Sequence, residues 1–369
     1  MRIGFDAKRA FLNSSGLGNY SRNAINAIQK YSNGNNLILF TPETSEKLLK
    51  NQEHFEVVSP KSSTSKIYKT YWRYFKLAKE IELKNLDIFH GLSNELPKSI
   101  HQSTIRSVVT IHDLIFLRFP EFYKTIDRKI YYKKVKYACE SADKIIAISK
   151  QTKNDIIEFL GIPSEKIEVV YQSIAPLFFN RNYSEKLHSR IQLPRDFILS
   201  VGTLEPRKNQ LSTLKAVHSQ GIKMPIVFVG NSTSYKKEID SYISINKIDN
   251  DILFLSNISE IELAHIYTKA KLSIYNSFYE GFGLPVIESM ACGCPVISSN
   301  VSCLPETAGG AALLCNPGEA ADLSSKIQSL ILDEKLRNNM IEKGLDRAKE
   351  FHPRKYAENL ISLYTKIAK

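Results

Sequence analysis

Short apolar runs alternate with longer amphipathic stretches along most of the chain. The first series of runs predicts strands at residues 3–5, 37–40, 55–58, 87–89, 108–111, 144–148 and 167–171. A second series predicts strands at residues 197–201, 226–229, 252–255, 272–275 and 295–298. Helical patterns lie between the strands, beginning with residues 20–30 after a loop through Gly18. Strands that alternate with helices indicate parallel, doubly wound sheets with helices on both faces.

The alternation of strands and helices is interrupted between residues 172 and 195, where the chain is of mixed polarity and contains Pro176 and Pro194. We therefore expect an α/β protein with two Rossmann-like domains, residues 1–175 and 176–352. A C-terminal helix, residues 353–369, is expected to pack back toward the first domain. Ligands bind at the carboxyl ends of the strands in such sheets, and two domains that face each other create a cleft.

Composition describes a soluble globular protein. The 369 residues suffice for two domains with a core each, and 43% are hydrophobic and 24% charged. The N-terminus lacks the apolar region of a signal peptide, and no apolar run approaches the roughly 18 residues of a membrane span. We expect a cytoplasmic location. The five cysteines lack the paired spacing of a metal site, so we expect reduced residues that pack in the interior.

Positive charge is concentrated in the first half of the chain. The net charge is +12, of which +9 falls in residues 1–180 and +3 in residues 181–369. Such a field suits an acidic partner, either a nucleic acid or an anionic membrane.

The stretch YEGFGLPVIES, residues 279–289, predicts a glycine turn that leads into a helix. Pro285 favours the first helical position, and residues 286–292 suit a short helix that starts just after Gly283. Gly281 and Gly283 have no Cβ to block a ligand, and the backbone N–H groups of a helix N-terminus attract anions. The turn is therefore a candidate phosphate site.

Two acids flank this turn. Glu280 and Glu288 would repel a phosphate, but carboxylates accept hydrogen bonds from hydroxyl groups. A ligand with phosphates in the middle and hydroxyl-bearing rings at both ends, such as a nucleotide-sugar, would satisfy every group. An ordinary strand, turn and helix with two solvated acids remains the alternative.

Two further motifs follow predicted strands of the first domain. Gly16 and Gly18 occupy the position of a phosphate-binding loop, although Ser21 replaces the third glycine of a dinucleotide fingerprint. Taken alone, such a glycine pair is more often a simple turn. His112 and Asp113 end an apolar strand, where polar residues face the ligand. Alternatively, Asp113 caps a helix or turn and His112 is a bystander.

The motif GTLEPRKN, residues 202–209, follows the first strand of the second domain. Arg207 and Lys208 are suited to neutralise a diphosphate, since Arg offers a forked donor and Lys a point charge. A solvated helix start is the weaker reading, because cations there oppose the helix dipole. The acids of Asp249-Asn-Asp251 resemble a metal-binding D-x-D pattern, but they precede a strand instead of ending one, so we interpret them as a polar turn.

Together these segments closely resemble the family-4 glycosyltransferases along essentially the whole chain. The matching segments are GLGNY at residues 16–20, TIHDLIFLRFPE at 110–121, AISKQTKNDI at 147–156, VGTLEPRKN at 201–209, YEGFGLPVIESMACGCPVISSN at 279–300 and SCLPETAG at 302–309. Glu280 and Glu288 match the family's E-x₇-E signature. The resemblance implies the GT-B architecture, a retaining reaction, a nucleotide-sugar donor, and no cofactor or metal.

The resemblance also implies roles for particular residues. Arg207 and Lys208 would bind the donor diphosphate, Glu280 the hydroxyls of the transferred sugar, and Glu288 the nucleotide ribose. His112 would lie against the sugar and, with Glu280, Arg207 and Lys208, form the catalytic set. The further donor contacts that it implies are Gly16, Gly18, Thr203, Gly281, Phe282, Gly283 and Leu284.

Within the family, the HDLIFLRFPE and EPRKN patterns are most similar to mannosyl- and rhamnosyl-type enzymes of surface polysaccharide assembly. A GDP-mannose donor and a glycan or lipid-linked glycan acceptor follow as expectations. UDP-glucose, UDP-GlcNAc and dTDP-rhamnose are the alternative donors, because Ser256 replaces a glycine that the family often has near the nucleobase. A catalytically silent subunit is a further alternative, which the intact motifs disfavour.

Two basic segments indicate which kind of acidic partner the protein contacts. Residues 66–84 place Tyr68, Tyr71, Trp72 and Phe75 at helical spacing among cations, and residues 123–137 carry six Lys or Arg residues. This pattern resembles an interfacial amphipathic helix, so we expect peripheral contact with an anionic membrane. Alternatively, the aromatic residues pack in the core. A nucleic-acid partner is not expected, because it leaves the two acids and the cation pair unexplained.

Overall fold

The computed structural model describes residues 1–32, 34–45, 47–49, 52–60, 65–181, 191–248 and 251–368. The chain divides into two compact units. The first unit is Met1–Ser173 together with Pro353–Lys369, and the second is Ile174–His352.

The first unit contains a parallel sheet in the order β3-β2-β1-β4-β5-β6-β7. Its strands are β1 (Arg2–Asp6), β2 (Asn36–Phe40), β3 (Glu56–Val58), β4 (Ile88–Gly91), β5 (Arg106–Ile111), β6 (Lys144–Ala147) and β7 (Ile167–Val169). Its helices are α1 (Lys8–Leu12), α2 (Gly16–Tyr31), α3 (Lys66–Tyr71), α4 (Leu77–Glu82), α5 (Ile115–Arg118), α6 (Thr125–Ser141) and α7 (Lys150–Leu160), with α15 (Pro353–Ala368) from the end of the chain.

The second unit repeats the arrangement in the order β10-β9-β8-β11-β12-β13. Its strands are β8 (Ile198–Val201), β9 (Ile226–Val229), β10 (Ile252–Leu255), β11 (Leu272–Tyr275), β12 (Val296–Ser299) and β13 (Leu313–Cys315). Its helices are α8 (Gln210–Ser219), α9 (Lys236–Ile245), α10 (Glu260–Lys269), α11 (Leu284–Ala291), α12 (Leu304–Ala308), α13 (Ala320–Leu332) and α14 (Glu334–Lys349).

Both faces of the first sheet are buried. Along β2, Ile38 and Phe40 belong to the apolar cluster on one face, whereas Leu37 and Leu39 belong to the cluster on the other. A strand that is covered on both sides reads as a continuous apolar run, which is why the strand positions could be predicted. The predicted strands are confirmed within one or two residues at each end, except β13, which was missed.

The C-terminal helix α15 packs on α2 and joins a buried polar network. Tyr356 donates to the hydroxyl of Tyr20 at 2.8 Å, and the Tyr20 and Thr110 hydroxyls are 2.9 Å apart. His90 joins this network through both ring nitrogens. Its Nε2 lies 2.8 Å from the Thr110 hydroxyl, and its Nδ1 lies 2.6 Å from the hydroxyl of Tyr364. Burial lowers the pKa of His90 to about 3, so the ring is neutral at physiological pH.

The predicted loop through Gly18 is wrong, because α2 begins at Gly16. Side chains stabilise this early start: the backbone N–H of Ser15 donates to Asn13 Oδ1 at 2.7 Å. The Arg22 guanidinium donates to the carbonyl oxygen of Asn13 at 2.8 Å. These contacts offset the low helix propensity of the glycines.

Candidate active site

The candidate site of the second unit lies where the winding of its sheet reverses. Strands β8 and β11 are neighbours, although two strands separate them in the sequence. Helices that leave such a pair in opposite directions open a crevice at the carboxyl ends of the strands. The segment with Arg207 and Lys208 follows β8, and the segment with Glu280 follows β11.

The two cations lie in a 3₁₀ turn, Pro206–Lys208, and not in the predicted helix start. Asn209 follows with φ of 58°, and α8 begins only after it. The backbone N–H of Phe278 donates to the carbonyl oxygen of Arg207 at 2.8 Å, which ties this turn to the segment after β11. Glycine is favoured at position 202, because its φ of 142° is a backbone conformation that L side chains rarely adopt.

Arg207, Lys208 and Glu280 form one ion cluster. Glu280 accepts from Lys208 Nζ at 2.7 Å and pairs with Arg207 Nη1 at 2.9 Å. Arg207 also pairs with Glu205 at 2.5 Å, and Lys208 donates to the hydroxyl of Tyr275 at 2.8 Å. Burial by itself would raise the pKa of Glu280, but Lys208 and Arg207 more than offset it and lower the pKa to about 2. The carboxylate is therefore ionised at every physiological pH.

The glycine turn is held by the segment after β12. The backbone N–H of Glu280 donates to Ser302 Oγ at 3.1 Å, and that hydroxyl donates back to the Glu280 carbonyl oxygen at 2.7 Å. Thr307 donates to the carbonyl oxygen of Phe282 at 2.5 Å. Gly283 has φ of 97° and caps α11, so the predicted start of the helix is confirmed, although the helix ends one residue earlier than expected. Pro285 is its second residue and not its first.

Glu288 differs from Glu280 in its environment. It lies on α11, partly buried, and Tyr267 donates to Glu288 Oε2 at 3.4 Å. Burial, followed by the charge of Glu260, raises the pKa of Glu288 to about 8. Near neutral pH its carboxyl group is largely protonated, and in that form it can both donate and accept hydrogen bonds.

His112 belongs to the first unit and is buried. Its Nε2 donates to the carbonyl oxygen of Leu92 at 2.9 Å, and its ring packs edge-on against Tyr20 with centroids 4.5 Å apart. Burial lowers the pKa of His112 to about 4. Asp113 accepts from the backbone N–H of Ile115 at 3.1 Å, as the capping interpretation predicts.

The two glycines before Tyr20 have different surroundings. A Cβ on Gly18 would lie 1.8 Å from the carbonyl oxygen of Asn13, so the close approach of α1 and α2 requires a glycine there. Gly16 has open space around its Cα. Packing therefore explains Gly18, while nothing in the packing requires Gly16.

Sequence reasoning missed several supporting residues. Ser302, Thr307 and Tyr275 contact the cluster or the turn, yet they are common polar residues without a diagnostic spacing. Thr203 follows β8, and its carbonyl oxygen accepts from Gln210 at 2.9 Å. Leu284 is the first residue of α11.

The remaining candidates are the cysteines and the turn at residues 249–251. All five cysteines are free and buried. Within the described ranges no three His, Cys, Asp or Glu residues form a group that could hold a metal ion. Asp249 and Asn250 lie outside the described residues, and Asp251 directly precedes β10.

Comparison with known proteins agrees with this fold. The chain matches the family described as Glycosyltransferase Family 4 over residues 14–176 and the family described as Glycosyl transferases group 1 over residues 184–347. It is 29% identical to O-antigen chain mannosyltransferase B of Escherichia coli over 72% of this chain and 70% of that protein. The serotype-specific mannosyltransferase WbdA of Escherichia coli is 26% identical over 76% of this chain, which spans only 36% of WbdA.

Among solved structures, sucrose-phosphate synthase from Thermosynechococcus elongatus superposes with a TM-score of 0.79. The two proteins are 20% identical, and the superposition covers 99% of this chain and 98% of the other. Two doubly wound parallel sheets that superpose in this way define the GT-B fold. The chain belongs to the family 4, group 1 glycosyltransferases.

Proposed function

We propose that this glycosyltransferase transfers mannose from GDP-mannose, with retention of configuration and without a metal, in surface polysaccharide assembly. The acceptor is a glycan or a lipid-linked glycan. The observation that carries the proposal is the cluster of Arg207, Lys208 and Glu280, which places two partly buried cations and a buried carboxylate beside a glycine turn. The mannosyltransferase names of the relatives support the choice of sugar.

The cluster indicates how the donor binds. A diphosphate that approaches Arg207 and Lys208 competes with the carboxylate of Glu280 for both cations. Glu280 released from them is free to accept hydrogen bonds from the sugar hydroxyls, so one ligand rearranges the whole cluster. The cations then stabilise the departing diphosphate, whose oxygen accepts the proton of the acceptor hydroxyl on the same face of the sugar. Glu288 is assigned to the ribose, and His112 to the sugar.

Thermal unfolding with a panel of nucleotide-sugars tests the donor. A donor that binds only the folded protein stabilises it by about 2.7 kcal/mol at a hundredfold excess over its Kd. We expect GDP-mannose to raise the Tm more than UDP-glucose, UDP-GlcNAc or dTDP-rhamnose at the same concentration. A larger Tm shift with any of the other three donors would show that the transferred sugar is not mannose or that the nucleotide is not GDP.

We further propose that the first unit docks on the cytoplasmic face of an anionic membrane. Among the aromatic residues of the first segment, Tyr68, Tyr71 and Phe75 are 39%, 44% and 47% exposed, and Ile67 beside them is 83% exposed. The expectation fails for Trp72, which is 3% exposed and packs in the core. No helix in the described part of the chain is long and apolar enough to cross a bilayer.

Liposome flotation tests the docking. The wild-type protein is expected to float with anionic vesicles at low salt and much less at high salt, because each cation near the surface contributes about 1 kcal/mol. Ile67→Ser with Phe75→Ser should reduce flotation, since these side chains would enter the headgroup region. Ile245→Ser removes a similarly exposed side chain from the second unit and serves as the control. Equal, negligible flotation with neutral and anionic vesicles would show that the acceptor is reached from solution.

A further inference from the structure

Two neighbouring cavities lie where the winding of the first sheet reverses. Strands β1 and β4 are adjacent at this point, and the residues that follow them line the cavities. The larger cavity has a volume of about 570 Å³ and the smaller about 210 Å³. Glu95 and Lys134 line both cavities, so the two spaces adjoin. This edge of a doubly wound sheet is where ligands bind.

Most charges in the walls are paired with each other. Arg73 pairs with Asp6 at 2.5 Å and also with Glu95, which Lys134 contacts at 3.1 Å. In the larger cavity, Lys69 of α3 pairs with a carboxylate at 2.7 Å. These ion pairs are satisfied within the protein and require no ligand.

Two consecutive cations after β1 are not paired in this way. Lys8 lines the larger cavity and Arg9 the smaller, and neither forms an ion pair with any residue in the described ranges. Burial, followed by the charge of Arg73, lowers the pKa of Lys8. The charges of Glu95 and Asp6 offset only part of this effect, so the partly buried ammonium is suited to a further anion.

The remaining walls differ in polarity. The larger cavity is lined by the apolar or aromatic side chains of Leu12, Tyr71, Tyr74 and Phe75. Tyr71 and Phe75 also belong to the exposed aromatic surface of the first unit, so this cavity opens onto that surface. The smaller cavity is lined by Ser93, Asn94 and Asp113, whose polar groups suit hydroxyls.

We propose that Lys8 and Arg9 bind a phosphate group of the acceptor, which is a phosphate-bearing lipid that carries a saccharide. The apolar chain lies along the aromatic wall of the larger cavity, the phosphate pairs with Lys8 and Arg9 at the junction, and the saccharide hydroxyls enter the smaller cavity. Charge complementarity selects this occupant over a neutral glycan. The inference rests on the proposed function, because it assigns the acceptor of that reaction.

Calorimetry with decyl phosphate below its critical micelle concentration tests the site. The wild-type protein is expected to bind decyl phosphate more tightly than either decanol or inorganic phosphate, since only decyl phosphate has both an apolar chain and a phosphate group. Lys8→Gln with Arg9→Gln should weaken the binding by at least about tenfold, judged from hydrogen bonds to charged groups. Lys8→Arg keeps the charge and should retain binding. Lys79→Gln, on an exposed position of α4, removes a cation elsewhere and should change nothing.

Three results would overturn the inference: decanol that binds as well as decyl phosphate, inorganic phosphate that binds as tightly, or an unchanged affinity in the double variant. The Tm shift with GDP-mannose, measured on the same preparations, separates this inference from the proposed donor. The shift should persist in the double variant, because the residues assigned to the donor diphosphate, Arg207 and Lys208, lie in the second unit. Its persistence also shows that the variant is folded. A wild-type protein that binds decyl phosphate through Lys8 and Arg9 but no nucleotide-sugar would refute the donor and retain the phosphate site.

Discussion

Glu280→Gln is expected to reduce sugar transfer by about tenfold to a thousandfold while GDP binds as tightly as before or more tightly. Glutamine keeps the size of the side chain but loses the charged acceptor for the sugar hydroxyls, which is comparable to the loss of one well-placed transition-state contact. The diphosphate of GDP no longer competes with a carboxylate for Arg207 and Lys208. Opposite effects on transfer and on product binding would distinguish this role from general damage to the site.

A transfer assay and calorimetry with GDP measure the two effects. Glu205→Gln is the matched control, because the Glu205 carboxylate also pairs with Arg207 but is more exposed than the carboxylate of Glu280. We expect a much smaller loss of transfer in that variant. Turnover close to that of the wild type in Glu280→Gln, with an established donor, would refute the assignment.

The same variant has a defined pH dependence of stability. Removal of the Glu280 carboxylate leaves the nearly buried Lys208 without an ion-pair partner and leaves Arg207 with Glu205 alone, which should lower the free energy of unfolding by about 3–5 kcal/mol. The folded-state pKa of about 2 lies below the ordinary value of 4.5, so the stabilisation is present above pH 4.5 and is lost as the pH falls toward 2. Denaturant unfolding should therefore show that the difference between wild type and variant shrinks in this range.

Replacement of both Arg207 and Lys208 by Ala is expected to weaken GDP binding by at least about a hundredfold. Each hydrogen bond to a charged group contributes about 1.5–3 kcal/mol, and both cations are assigned to the same diphosphate. The double variant also leaves the buried Glu280 carboxylate without a cation, so it should be destabilised. Adding Glu280→Gln should restore stability but not GDP binding.

Calorimetry with GDP separates these effects. Lys236→Ala removes a cation of the second unit that pairs with Asp240 on α9, and it should leave GDP affinity unchanged. If the triple variant is folded and binds GDP like the wild type, the diphosphate lies elsewhere and the donor site has to be reassigned.

Local patterns predicted the strands well and the loops less well. Runs of apolar residues indicated twelve of the strands, because strands covered on both faces are apolar at every position. The segment with Gly16 and Gly18 was expected to be a loop, since glycine disfavours helices. Hydrogen bonds from Arg22 to carbonyl oxygens of α1 reverse that preference, and no local pattern reveals them.

The aromatic residues of the segment 66–84 illustrate the same limit. Tyr68, Tyr71, Trp72 and Phe75 share a helical spacing, which is equally compatible with a membrane surface and with a core. The structure buries Trp72 and exposes the other three. Which side of a helix faces the core depends on the neighbouring elements, and these come from distant parts of the chain.

The sequence by itself determined the order of strands and helices, the two-sheet class and the identity of the residues gathered at the glycine turn, because periodicity, glycine positions and motif spacing are local properties. Only the tertiary structure decided how their charges are arranged. Lys208 and Glu280 are 72 positions apart, yet their side chains meet at 2.7 Å. As a result Glu280 is ionised, whereas burial raises the pKa of Glu288, which is largely protonated near neutral pH. A pKa depends on burial and on neighbouring charges, and both are properties of the folded chain.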